Sequence, residues 1–146
     1  MFRGSQTARI DDKGRLKLPA QFKALVEEHH GAALYVTTFE DHSVRIYPLP
    51  VWKDVEQRIL KMPSTHPLRG KLLNRTSYLG QVTEFDAQGR LSIAPRLREL
   101  ARLVGDVAVV GKIEYLEVWN DEVLSTKVAN EPITDADLAG LSEFGI

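Results

Sequence analysis

Residues 11–18 read Asp-Asp-Lys-Gly-Arg-Leu-Lys-Leu, and the same pattern returns from Asp86 as Asp-Ala-Gln-Gly-Arg-Leu-Ser-Ile. Asp, Gly, Arg and Leu recur at one offset, and Leu18 answers Ile93. The likeness runs on: Pro19 is followed by Phe22 and Leu25, and Pro95, shifted by one place, is followed by Leu97 and Leu100. Gly31 opens the apolar run 32–36 and Gly105 opens 107–110, and Val44-Arg45-Ile46-Tyr47 resembles Leu116-Glu117-Val118-Trp119. Such self-similarity means two copies of one unit. With 146 residues in all, the two halves are expected to share a core.

Each copy has a legible layout. Ala8 and Ile10 alternate before the first Asp, and Leu16 and Leu18 after the Arg; Thr83 and Phe85, then Leu91 and Ile93, do the same in the second copy. Alternation on both sides of a three-residue link ending in Gly predicts a β-hairpin with Gly14 or Gly89 in the left-handed turn position. Pro19 and Pro95 suit the start of a short helix, with Phe22, Leu25 and Val26, or Leu97, Leu100 and Val104, facing inward. The valine-rich runs read as buried strands, so a unit is strand-turn-strand, helix, strand-strand. Between the copies Trp52, Val55, Ile59 and Met62 follow helical spacing, and Pro67 permits a second helix with Leu68 and Leu72 on one face. Trp52 and Trp119 belong to apolar patterns and read as core rather than as a stacking platform. A last helix is expected from about Asp121 to Val128. From 130 to 146 apolar residues are sparse, so order there is expected only with a partner.

A three-residue link sets Asp11 across from Arg15 and Asp86 across from Arg90. Those pairs are accounted for by turn formation, with Gly supplying the positive φ. The neighbours are not. Extended along the hairpin, the register puts Arg9 opposite Lys17 on the outward face, with Lys13 at the tip, and facing like charges are unfavourable without an anion. The equivalent positions in the second copy are Glu84, Ser92 and Gln88, which leaves Arg90 alone there. The first turn is therefore expected to carry more of any affinity for an anionic partner.

The formal net charge is only -1, so placement decides. Residues 1–23 hold six Lys/Arg against two Asp, and 58–75 hold five Lys/Arg and no acid. From Ser125 onward four acids face one Lys. Clustered charge of this kind favours an anionic partner. With Cys at 0, disulfides, cysteine-based zinc sites and thiol nucleophiles are excluded. His29 and His30 are adjacent and point apart on a helix; His42 and His66 have no carboxylate at ligand spacing, so no metal is expected. Neither a Walker loop nor a nucleophile elbow is present, and Ser43, Ser64 and Thr65 have no triad around them. No cofactor, small-molecule substrate or catalysis is expected. No apolar leader or membrane-length stretch stands out, which makes cytoplasm the expected location.

The Met-Phe-Arg-Gly start, the Asp-x-x-Gly-Arg-Leu turn at 11–16, Tyr47-Pro48-Leu49-Pro50 followed by Trp52, and Asp86-x-x-Gly89-Arg90-Leu91 followed by Ala94-Pro95 resemble the MraZ family of bacterial transcriptional regulators. The resemblance spans about residues 1–128 and implies two tandem AbrB-like (SpoVT-AbrB) units. It implies an α+β, mainly β fold: a double-split, swapped-hairpin β-barrel with peripheral helices. The expected division is an AbrB-like repeat at 5–50, a helical insert at 51–77, a second repeat at 78–121, and a C-terminal helix and tail at 122–146. The resemblance also implies a homo-oligomeric ring and a double-stranded DNA partner. That DNA would be repeated boxes upstream of the division and cell-wall gene cluster, including the chain's own gene, with nucleoid association and repression as the expected outcome. It places the DNA-contacting arginines at Arg15 and Arg90 and finds Lys13 at a commonly basic position, whereas Gln88 departs from that pattern.

The mechanism expected from these residues has Arg15 reading guanine through its planar fork. Arg9, Lys13 and Lys17 would orient it through phosphates, with Arg90 in a lesser role. Asp11, Gly14, Asp86 and Gly89 shape the turns. The competing reading is a protein-interaction module whose basic turns contact an acidic partner.

Overall fold

The computed structural model describes residues 1–146, apart from the side chains of residues 29 and 30, so the reading of His29 and His30 as a non-chelating pair lies outside the described residues. The first copy contains β1 (Ser5–Ile10), β2 (Arg15–Lys17), α1 (Ala20–His30), β3 (Ala33–Thr37) and β4 (Ser43–Pro48), and α2 (Leu49–Leu60) and α3 (Pro67–Tyr78) follow. The second copy runs β5 (Gln81–Glu84), β6 (Arg90–Ser92), α4 (Pro95–Ala101), β7 (Gly105–Gly111) and β8 (Leu116–Asn120), before α5 (Asp121–Asn130) and α6 (Asp135–Ser142). The helix starts obey local chemistry. Prolines within the first turn of α2, α3 and α4 sit where the missing N–H has no helical acceptor.

The eight strands form one antiparallel sheet in the order β5-β3-β4-β8-β7-β1-β2-β6. It curls into a nearly closed barrel, β6 meeting β5 through the turn bond from Asp86 N–H to Arg90 O. The hairpins are swapped between copies. β1 pairs with β7 and β5 with β3, while β2 of the first hairpin lies against β6 of the second. Neither copy completes its own sheet. On the far side β4 pairs with β8, setting Val44 against Val118 and Ile46 against Leu116.

Period-2 alternation puts one row of each strand inside. Leu16, Leu91, Val36, Val44, Ile46, Val107, Val109, Leu116 and Val118 are all buried there. Phe22 and Val26 of α1 and Leu97 and Ala101 of α4 join the same core. Each buried Val, Leu, Ile or Phe among them stabilises the fold by roughly 1.5–3 kcal/mol of apolar burial. Outside the barrel Tyr47, Val51 and Trp52 form a second cluster, with Tyr35 stacked on Trp52 at 4.6 Å between ring centroids. Trp52 and Trp119 are both buried, as their apolar patterns predict.

Three expectations need correction. Leu100 and Val104 do not face inward: α4 ends at Ala101, Arg102 turns left-handed (φ 53), and Leu103 enters the core while Val104 is 82% exposed. Leu68 is likewise exposed on α3; Thr76 is that helix's buried residue. The tail, expected to lack structure of its own, contains α6, started by a capping box in which Thr134 and Asp137 satisfy each other's backbone N–H. Yet α6 buries none of its residues.

Candidate nucleic-acid interface

The two Asp-x-x-Gly-Arg turns are built identically. Asp11 N–H donates to Arg15 O (3.0 Å) and Gly14 N–H to Asp11 O (3.0 Å). Asp11 Oδ1 accepts from the backbone N–H of Lys13 (3.0 Å) and Arg15 (2.9 Å), and Oδ2 accepts from Arg15 Nε (2.8 Å). Asp86 repeats every bond: Oδ1 accepts from Gln88 N–H (2.9 Å) and Arg90 N–H (2.8 Å), and Oδ2 from Arg90 Nε (2.9 Å). A short carboxylate suits this place because it reaches its own backbone two and four residues on. Gly14 and Gly89 hold φ at 77° and 74°, where an L side chain is strained. The backbone N–H of the facing arginine, above all, holds each aspartate below the usual carboxylate range.

This geometry fixes what each arginine has left. Nε of Arg15 is committed to Asp11, and among the described residues its two Nη groups have no protein acceptor. Arg90 is held the same way, with Nη2 also donating to Gln88 Oε1 at 3.2 Å. A guanidinium gripped at Nε and open at its Nη edge is a pre-set two-donor fork.

The β2–β6 register decides which side chains share a face. Leu16 pairs with Leu91, and both are fully buried. Their neighbours Arg15, Lys17, Arg90 and Ser92 therefore share the outward face, with Arg15 opposite Ser92 and Lys17 opposite Arg90. The structure thus brings Arg15, Lys17 and Arg90 together from both copies and leaves Lys13 exposed at the tip of the first turn.

Arg9 does not face Lys17 in the ladder. The hairpin retains one pair, Ile10 with Leu16, and then splits, β1 going to β7 and β2 to β6. Arg9 stands opposite Asp106 instead, in an exposed pair at 3.7 Å with side chains 78% and 69% accessible. Such a pair contributes little to stability and can exchange its acid for another anion.

Two basic residues escape a reading confined to the turns. Arg98 of α4 lies against the first turn: Nε donates to Ile93 O (3.0 Å), and Ile93 N–H donates to Gly14 O (3.0 Å). Lys23 of α1 lies against the second turn, its Cε 3.0 Å from where a Cβ on Gly89 would stand. Lys23 and Arg98 are one another's equivalents in the repeat, each one place after the buried Phe22 or Leu97. That shared place was the sequence signal.

Elsewhere His66 and Trp119 have structural roles. His66 Nδ1 accepts from Leu68 N–H and caps α3, and Trp119 Nε1 donates to Glu117 Oε1 at 2.9 Å. No helix is long and apolar enough to cross a membrane.

Comparison with known proteins agrees with the repeat and the turns. The family model described as "MraZ protein, putative antitoxin-like" matches residues 1–75 and 81–136. The chain is similar to the transcriptional regulator MraZ of Koribacter versatilis, 46% identical over 147 residues, and to that of Acidobacterium capsulatum, 43% identical over 146; in both cases all of each chain is covered. The transcriptional regulator MraZ of Methylococcus capsulatus is 32% identical over 145 residues, 99% of this chain and 95% of its own. With swapped hairpins, paired turns and full-length relatives in agreement, the chain belongs to the MraZ family.

Proposed function

We propose that this chain is a sequence-specific DNA-binding transcriptional regulator that acts without catalysis, and that the outward face of β2 and β6 is its reading surface. The observation that carries this is the pairing of Lys17 with Arg90 beside Arg15 on one exposed face. Asp86 already pairs with Arg90 and Asp11 with Arg15, so Lys17, which has no carboxylate partner among the described residues, is the charge on this face left for an anion. Arg15 contacts guanine O6 and N7 through its free Nη edge. Lys13, Lys17 and Arg9 set orientation through phosphates, and Arg90 acts from the second turn. Asp11, Gly14, Asp86 and Gly89 shape the turns that present them. The names of the relatives support the regulatory reading.

One such face reaches few phosphates, so the reading includes assembly into a ring whose subunits engage repeated boxes at once, gaining affinity through effective concentration. Those boxes lie upstream of the division and cell-wall gene cluster that includes the chain's own gene. Occupying them represses by blocking RNA polymerase, in the cytoplasm on the nucleoid. Fluorescence anisotropy tests this with the chain's own upstream duplex beside a scrambled one, for wild type and Arg15→Ala. The expected result is preference for the upstream duplex, lost in Arg15→Ala with folding intact. Equal binding of both duplexes, or an unaffected variant, returns Arg15 to turn-building and points to an acidic protein partner.

A further inference from the structure

We propose that Lys23 and Arg98 are phosphate-binding residues, each serving the turn of the other copy, so that each turn gains one cation from the opposite copy's helix. The inference rests on the DNA-binding reading above and changes its balance. Compared position by position within each copy, the second turn is poor, with Glu84, Gln88 and Ser92 where the first has Arg9, Lys13 and Lys17. The swapped pairing redistributes those charges.

Lys17 belongs to the first copy in sequence, but the β2–β6 register sets it beside Arg90, at the root of the second turn. Lys23 joins it there. Its aliphatic stem lies against Gly89, and its ammonium is 5.4 Å from the Phe85 ring centroid. That ammonium also bonds Glu27 Oε1 at 2.8 Å, with the lysine side chain 31% accessible, so a phosphate needs only a pivot of the flexible end. The second turn thus holds Arg90, Lys17 and Lys23.

At the first turn Ser92 stands where Lys17 stands at the second. Arg98 makes up the loss. A Cβ on Gly14 would come within 2.5 Å of Arg98 Nε and 2.8 Å of Nη2, so the guanidinium sits on the turn itself. Its Nε is committed to Ile93 O, and its Nη groups have no carboxylate partner among the described residues. The first turn thus holds Lys13, Arg15 and Arg98. The hairpin swap is what allows each α-helix to lend its cation across.

The test measures anisotropy binding of the full chain between 50 and 200 mM salt, on the upstream and the scrambled duplex, for wild type, Lys23→Gln, Arg98→Gln and Arg98→Lys. For every subunit engaged on the duplex, each Gln variant should weaken binding about eightfold at 0.1 M salt and lower the slope of log K against log salt by about 0.9, the loss of one phosphate contact per subunit. Arg98→Lys should restore the slope. A structural role alone would change affinity and leave the slope untouched. Wild-type slopes in Lys23→Gln and Arg98→Gln, both still folded with a single cooperative melt above the assay temperature, overturn the proposal. If Arg98→Gln fails to fold, the slope of Lys23→Gln alone decides it. Loss of preference between duplexes in wild type would sink the sequence-reading claim separately, because phosphate slopes are still measured on the scrambled duplex.

Discussion

Replacing Gly14 by Ala asks whether the second copy clamps the first turn, because Gly89→Ala supplies a matched control. Both glycines sit at nearly the same positive φ, 77° and 74°. Either substitution therefore costs about 1–2 kcal/mol for a left-handed L residue. They differ in what the new methyl meets. At 89 it meets Lys23 Cε at 3.0 Å, the far end of a flexible chain that swings aside. At 14 it meets the Arg98 guanidinium, anchored through Nε to Ile93 O. Displacing that group forfeits a charged hydrogen bond worth about 1.5–3 kcal/mol. The totals are about 1–2 kcal/mol for Gly89→Ala and about 2.5–5 kcal/mol for Gly14→Ala. At roughly 3 °C per kcal/mol for a chain of this size, Tm falls by about 5 °C and about 11 °C. Circular dichroism melts at one fixed protein concentration read both. Arg98→Ala on top of Gly14→Ala should then add little, since the bond is already lost. Equal costs at the two glycines, or simple additivity in the double variant, would refute the clamp.

Three more outcomes follow from the same geometry. Asp11 and Asp86 are held below their usual range by backbone N–H donors; their contribution is thus present above the unfolded-state value of about 3.9 and lost as pH falls through the folded-state values. Urea midpoints should drop below about pH 4, and the Asp11→Asn, Asp86→Asn double variant should flatten that drop. Leu16→Ala empties a fully buried site facing Leu91 and should cost about 2–5 kcal/mol in urea unfolding; a cost under about 1 kcal/mol would place β2 outside the core. Ending the chain after Asn130 removes α6, which buries nothing, so stability should change by less than about 0.5 kcal/mol, and a larger fall would mean that the tail docks.

The features written locally were the ones legible in the sequence. The repeat, both turns, the positive φ at Gly14 and Gly89, and the strand-turn-strand, helix, strand-strand order all follow from periodicity and turn chemistry over a few residues. What escaped depends on which strand meets which. Arg9 finding Asp106, and Lys17 finding Arg90, are set by pairings more than 70 residues apart in the chain, and alternation alone does not choose the partner. The inward facing expected of Val104 failed for a different reason. A non-glycine residue, Arg102, takes the left-handed position that ends α4, and nothing in its side chain announces that. Lys23 and Arg98 lie on helices, eight residues beyond Arg15 and Arg90, so turn chemistry does not pick them out, although the repeat aligns them as well as it aligns Arg15 and Arg90. In the tail, Thr134-x-x-Asp137 carried a start signal that the scarcity of apolar residues concealed.

In the proposed arrangement both turns face DNA from one side of the barrel. The chain contains no cysteine, so a single introduced Cys can carry a DNA-cleaving iron chelate at one chosen place. Asp12→Cys and Ala87→Cys put it on the exposed tips of the two turns, and Lys53→Cys puts it on exposed α2, which packs on β3 and β4 across the barrel from β2 and β6. The account predicts cleavage of the bound upstream duplex from positions 12 and 87 and none from 53. Cleavage from 53 alone, or from none of the three on a duplex shown to be bound, would contradict it.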